Sequence, residues 1–520
     1  MGGCVWSKQE TSLTELKDLH RFLADADIRL VRFGFLQALL REGRLWPRRQ
    51  EAEHETFWHD WRQESLSALV AADDLYIAAD RFQLRGRSDV HLVSVSHCWE
   101  AQQHPDPWGF QLKSLVSRVD AEFGTLLSRR GSSREVLLFV DFICLPQYLR
   151  TEPEQARFKC AMNSMHLLYA HDAFRVWRLE ELTPQSMKRS HPSTIDIYSD
   201  DAKRLGPQPF EQLILNTTPY QQRGWCVAET QWMATHAMVT YAPMIPERFR
   251  ERVRAEGKPS SFDGLVLRFT HRSDAEPVMQ LQEKIFELAA LSRKRAYPQN
   301  LDLRQVLFLA EALQRFEKLK ILNLGHRNNV VGDEGAVALA WGIMACPLEV
   351  LDLEGCQIGA RGAAAIAGFC HDSKTLQKLD MDKNPIGEEG AIFVAGGLAA
   401  NTTIRDVFLR GCEIGPIGAD ALAELLCRKS MTLCNIVLCD NPFGEEGAVA
   451  LASGLRGSPS VKFVWIQRCQ VGPGGATALS QLCREMKRSF YLNALENPLS
   501  DEGRRLLEEI SRTSKHVRIE

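Results

Sequence analysis

Apolar residues recur every three or four positions through LTELKDLHRFLADADIRLVRFGFLQALLREG, with charges between them, and this spacing predicts helix. Pro47 and a charged run interrupt it. A second helical pattern follows in HETFWHDWRQESLSALVAADDLYIAADRF, with Trp58 and Trp61 expected in its core. Residues 1–87 therefore read as a helical N-terminal region. From residue 88 the texture changes. VHLVSVSHCW and EVLLFVDFICLPQ are short runs of Val, Leu and Phe, the pattern of strands buried on both faces. An amphipathic stretch closed by Gly131 separates them, and EQARFKCAMNSMHLLYAHD then leads to a third strand, AFRVWRL. Strand and helix in alternation predict a parallel sheet with right-handed crossovers, an α/β domain over 88–298. Within it, residues 180–219, rich in Pro, Ser and Asp, read as a surface insertion; HAMVTYAP reads as a strand and EPVMQLQEKIFELAALSRK as a late helix.

Residues 299–520 repeat. An LxxLxL run, then Asn or Cys, then an apolar residue and a Gly-containing turn recurs in LEVLDLEGCQIG, LQKLDMDKNPIG, IRDVFLRGCEIG, LCNIVLCDNPFG and VKFVWIQRCQVG. The ladder position alternates strictly through Asn329, Cys356, Asn384, Cys412, Asn441, Cys469 and Asn497. This resembles the ribonuclease-inhibitor class of leucine-rich repeats, which implies a horseshoe whose inner strand face binds a protein. On that face the middle strand positions run from Asn323, Asp352 and Asp380 to Phe408, Val437, Trp465 and Asn493. Phe408, Phe463, Trp465 and Tyr491, with Arg468 nearby, have the composition of an interface hot spot.

Composition narrows the rest. The chain of 520 residues has a net charge of −3, which argues against a dedicated nucleic-acid binder, and it has no apolar run long enough to span a bilayer. Its 14 cysteines are scattered without a CxxC pair and read as reduced thiols of a cytoplasmic protein. MGGCVWSK places Gly2 and Cys4 as a myristoylation and palmitoylation signal, which implies anchoring to a membrane surface, although Trp6 stands where a hydroxyl is expected.

Three blocks carry the candidate chemistry: SHCW after the first strand, DFICLPQ after the second, and RGWCVAE opening a later helix. In that helix Glu229 lies between Trp225 and Trp232 at helical spacing, either a desolvated acid with a task or the partner of Arg223. In order, the blocks resemble those of heterokaryon-incompatibility (HET) domains, and WCVAE resembles the Trp-Cys-x-x-Glu helix of plant-type TIR domains. The resemblance implies an output domain that acts by self-association. Its alternative is an NAD-cleaving enzyme with NAD as substrate and Glu229 as the acid. No resident cofactor is expected. At the carboxyl ends of parallel strands His97 and Asp141 would join Glu229, Trp99 or Trp225 could stack on a ring, and Arg223 with the helix start near 106–109 could take phosphates. A carboxylate there would stabilise an oxocarbenium-like sugar. Two rival chemistries are a zinc ion held by His97, Cys98, Cys144 and Cys226, and a Cys226 nucleophile beside His97. No GxxxxGK[ST] phosphate loop occurs; GKPS at 257–260 lacks the upstream glycine.

Overall fold

A computed structural model describes residues 13–520 except 61, 79–80, 85–89, 128–133, 190, 200–201, 203, 235–240, 255–265, 270–273, 429–431 and 515. Gly2, Cys4, Trp61, the GKPS segment and much of the expected HAMVTYAP strand lie outside the described residues. The chain divides into two compact units, Met1–His236 with Pro246–Ile285, and Ala237–Ile245 with Phe286–Glu520.

The first unit is built on a five-stranded sheet. Its strands are β1 (Leu30–Arg32), β4 (Leu69–Val70), β7 (Val90–His97), β8 (Glu135–Phe139) and β9 (Phe174–Leu179), in the order β4-β1-β8-β7-β9. The three strands expected from the apolar runs, β7, β8 and β9, are parallel, whereas β1 runs antiparallel to β8 and β4 antiparallel to β1. The sheet is therefore mixed. The helical expectation for the N-terminal region holds for Leu16–Asp25 and Phe33–Arg41 but fails beyond them. Residues 54–84 instead form two antiparallel hairpins, β2 (Thr56–His59) with β3 (Glu64–Ser67) and β5 (Leu75–Ala78) with β6 (Arg81–Leu84). Trp58 is 53% exposed, not core. Thr, Phe, Trp, Tyr and Ile give these segments strand propensity, and tertiary pairing overrides their weaker helical period. Because β1 and β4 complete the sheet of β7–β9, the N-terminal region shares its core through Leu30, Val31, Leu69 and Val70. Arg32 on β1 pairs with buried Glu135 on β8, and Arg62 reaches the same carboxylate at 3.3 Å.

Chain order places the cleft. β7 leads through helix Phe110–Leu127 to β8 on one side, and β8 leads through helix Glu152–Ser164 to β9 on the other. Right-handed crossovers in opposite directions put the two helices on opposite faces, so a crevice opens beyond the carboxyl ends of β7 and β8. The 180–219 insertion contains a hairpin of β10 (Thr194–Ser199) and β11 (Arg204–Pro209), whose Ile195 and Ile197 pack with Phe210, Leu213 and Ala101.

The second unit is a repeat array. Among the described residues nine parallel strands, Arg295–Ala296 through Val517–Ile519, follow one another in sequence order, and from the first to the eighth each is followed by a helix. Leucines of successive strands, among them Leu322, Leu351, Leu379 and Leu492, are all at most 1% exposed and fill one continuous core. The Asn/Cys alternation has a hydrogen-bonding cause. Asn441 accepts the Cys412 and Ile414 amides (2.9 and 3.0 Å) and donates to the Leu409 and Leu438 carbonyls (2.7 and 2.8 Å). Cys412 and Cys469 instead spend one thiol each on the preceding Met381 and Leu438 carbonyls (3.2 and 3.1 Å). Burial pushes both thiols up to about 12, so they stay protonated donors. The helix starts follow the same two-repeat period. Asp333 caps the next helix through the Gly359 and Gly362 amides (2.8 Å each), and Glu445 does so through Gly474 (2.8 Å).

Candidate functional site

The three sequence blocks meet. His97, Trp99, Asp141, Arg223, Trp225 and Glu229 all line one groove of about 1860 Å³ in the α/β unit. β7 ends at His97, Asp141 follows β8, and Arg223 precedes the helix Gly224–Met233 that carries Glu229.

His97 is fixed on both sides. Its Nε2 lies 2.8 Å from Asp141 Oδ1 and its Nδ1 3.0 Å from Gln111 Oε1. The Gln111 amide nitrogen donates to the Cys98 carbonyl (2.7 Å), which turns its oxygen to the imidazole. Both ring nitrogens thus face acceptors and the ring is held as imidazolium. Burial opposes that charge, but Asp141 outweighs it and raises the His97 pKa. Asp141 is driven the other way: burial would raise its pKa, but His97, the Trp99 indole (3.0 Å) and the Phe142 amide lower it.

Glu229 is 7% exposed. The Ser96 hydroxyl donates to its Oε2 at 2.5 Å, and the Tyr169 hydroxyl bonds it as well. Neither a guanidinium nor an ammonium pairs with it among the described residues. Burial, reinforced by the charge of Asp141, lifts its pKa to about 8 against the pull of Ser96, His97 and Tyr169. The group is a neutral carboxylic acid at pH 7, beside an ionised Asp141.

Arg223 does not pair with Glu229. Its guanidinium donates to the carbonyls of Thr218 (2.6 Å), Trp99 (2.6 Å) and Asn216 (3.1 Å), so it ties the loop before the helix to the end of the SHCW block. Each of its three nitrogens is thereby engaged by a backbone carbonyl, which leaves one N–H on each terminal nitrogen. The helix start near 106–109 is likewise occupied, because Asp106 Oδ2 accepts the Leu112 amide at 2.7 Å. Trp225 donates to Asp274 (3.0 Å), and Trp232 is fully buried. The zinc quartet does not assemble: the Cys144 thiol bonds the Leu138 carbonyl (3.4 Å), and no group of three or more His, Cys, Asp or Glu suited to a metal occurs among the described residues. Ser96, Gln111 and Tyr169 were not legible as site residues. Tyr169 sits inside the apolar run LLYA, which gives no sign that its hydroxyl meets a carboxyl.

On the repeat strands, Asp352, Asp380, Phe408, Val437, Trp465 and Asn493 form one register row. Phe463 is 46% exposed, and Tyr491 bridges it to Trp465 with ring centroids 6.2 and 5.1 Å away. The Tyr491 hydroxyl donates to Glu520 (2.6 Å), which fixes the cluster. Phe408 lies apart, under the Lys378 ammonium at 4.4 Å. Arg468 is not a free cation beside the aromatics. It joins Asp440 and Glu496 (2.9 Å), and Asp440 also holds Arg410 (2.5 Å), a charge ladder along the repeats. At the opposite end Asp382, half-buried beside Asp380 and Glu354, has its pKa lifted to about 7, first by desolvation.

No helix among the described residues is long and apolar enough to cross a membrane. Residues 317–340, 345–367, 372–395 and 400–423 match the family model described as Leucine Rich repeat. The chain is 29% identical over 199 residues to the ribonuclease inhibitor of Sus scrofa, covering 38% of this chain and 43% of that protein. It is 28% identical over 200 residues to the ribonuclease inhibitor of Mus musculus, with the same coverage of 38% and 43%. The chain thus spans about 43% of the length of the curated relatives it matches. Among solved structures it is similar to leiomodin-1 actin-binding site 2, with a TM-score of 0.24 and 14% identity over 32% of this chain and 89% of that one. Residues 317–423 thus carry leucine-rich repeats, and with the ladder and strand register described above the C-terminal array is similar to the repeats of ribonuclease inhibitors.

Proposed function

We propose that this is a recognition protein whose repeat strands capture a protein partner and whose HET/TIR-like α/β unit gives the output by self-association. The observation that carries the binding role is the Phe463–Trp465–Tyr491 cluster, a set of touching aromatics held open on adjacent strands. Partly exposed, pre-positioned aromatic rings give large contact area at low entropic cost. With a partner identified by cross-linking to the intact chain, Trp465→Ala is expected to weaken binding about thirtyfold, ~2 kcal/mol. Trp341→Ala, at a 69% exposed tryptophan on a repeat helix, is expected to leave it unchanged. Equal losses in both variants would remove the strand face from the reading.

The groove supports a second reading, NAD cleavage with Glu229 as the working acid. Trp99 and Trp225 on its wall supply rings for stacking, and Glu229 and Asp141 stand on the same wall. Stabilising an oxocarbenium-like sugar needs the ionised carboxylate. With Glu229 titrating at about 8, nicotinamide release is expected to rise with pH through that value and to vanish in Glu229→Gln. Absence of release at pH 9 would leave only the interaction role.

A further inference from the structure

We propose that Cys98 and Cys226 form a redox-active dithiol behind the groove wall of the α/β unit, a modification site that closes to a disulfide under peroxide. Cys98 immediately follows β7, and Cys226 lies in the first turn of the Gly224–Met233 helix. With Tyr220 they make a small separate cluster covered by Leu182. The two thiols belong to the same small cluster, and Cys226 Sγ reaches the His97 carbonyl at 3.5 Å. Cys226 lines the groove, and Cys98, 0% exposed, lies directly behind it, so a small oxidant reaches the pair past Cys226.

The surroundings favour a thiolate at Cys98. Arg223 donates to the neighbouring Trp99 carbonyl at 2.6 Å, and the imidazolium of His97 precedes Cys98 in the chain. The hydrogen bond from Cys226 lowers the Cys98 pKa first, with Arg223 and His97 adding to it against burial. Cys226 is raised in turn, by the same contact with Cys98 and by burial. Burial pushes Cys144, Cys356 and Cys483 up to about 12, leaving them inert.

The chemistry balances with hydrogen peroxide as the oxidant. The Cys98 thiolate attacks one peroxide oxygen; the O–O bond breaks, and the leaving hydroxide takes the Cys226 thiol proton to become water. The Cys226 thiolate so formed attacks the Cys98 sulfenic acid. The S–S bond forms, the S–O bond breaks, and the second hydroxide leaves, taking from solvent the proton that Cys98 gave up on ionising. The two sulfurs together lose two electrons and the peroxide gains them. The bond would tie the end of β7 to the helix that places Glu229 one turn further on.

The test uses the full chain. After a brief exposure to hydrogen peroxide, it is denatured in N-ethylmaleimide and digested without reductant for mass spectrometry. A peptide joining Cys98 to Cys226, two hydrogens lighter than the free pair and released by dithiothreitol, is the expected result. Cys226→Ser should instead leave a sulfenic acid on Cys98 that dimedone traps. Should that variant not fold, the wild-type map decides alone. The exposed Cys427 is the internal comparison. If Cys427 is oxidised while Cys98 and Cys226 both carry maleimide, or if no linked peptide forms, the proposal is overturned.

Discussion

Replacing Glu229 by Gln asks which protonation state the groove holds. A carboxyl moved from its usual 4.5 to about 8 holds a proton in the folded protein that the unfolded chain has released at neutral pH. Its contribution to stability is present in full below 4.5 and declines as pH rises, until Glu229 ionises in the fold near 8. At ~1.4 kcal/mol per pH unit the ceiling is about 5 kcal/mol, and water entering from the groove reduces this to about 2–3 kcal/mol. Gln keeps the shape and can still accept from Ser96 Oγ and Tyr169, but it carries no charge to desolvate. Glu229→Gln is therefore expected to match the wild type near pH 5 and exceed it by about 2–3 kcal/mol at pH 9. The assay is hydrogen exchange of the β7 amides, which open with the α/β unit. Comparing the two proteins at each pH cancels the intrinsic pH dependence of exchange. A variant less stable than the wild type by a constant amount across pH 6–9 would mean that Glu229 is already ionised at neutrality, and the assignment of a neutral acid would be refuted.

Other expectations follow from single contacts. Asn441→Ala strips the Cys412 and Ile414 amides and the Leu409 carbonyl of the Asn441 side chain, while the Leu438 carbonyl keeps the Cys469 thiol, at about 1–3 kcal/mol for each group left unsatisfied; exchange at the Cys412 and Ile414 amides should quicken at least about a hundredfold, whereas Cys412→Ala should cost only about 1 kcal/mol. Gly224→Ala would put a Cβ 2.2 Å from the Phe269 ring, so a loss of about 1–3 kcal/mol is expected in chemical denaturation of the α/β unit. Asp141→Asn removes the charge that sustains the His97 imidazolium. Because the folded pKa of His97 is raised, that pairing stabilises in full below its usual 6.5 and fades as pH rises through the folded value, so the variant should lose more stability at pH 6 than at pH 9.

The repeats could be read because they are local. Each Leu, ladder residue and Gly turn recurs at a fixed offset, and neighbouring copies need only stack. The strands β7 and β8 were legible for a similar reason, since burial on both faces leaves runs dominated by apolar residues, and β9, with Arg175 exposed, followed from the alternation of strand and helix. The hairpins of residues 54–84 were not: their aromatic and β-branched residues also fit a helical period, and pairing chose between the two.

By itself the sequence determined the repeat architecture, the alternating Asn/Cys ladder and the three blocks that line the groove. Tertiary structure decided what each side chain does there. Arg223 is committed to backbone carbonyls, Arg468 to neighbouring repeats, and Glu229 to the hydroxyls of Ser96 and Tyr169. The reason is desolvation. Whether a carboxyl is charged depends on how much water and which donors surround it, and those donors come from distant parts of the chain that only the folded sheet brings together.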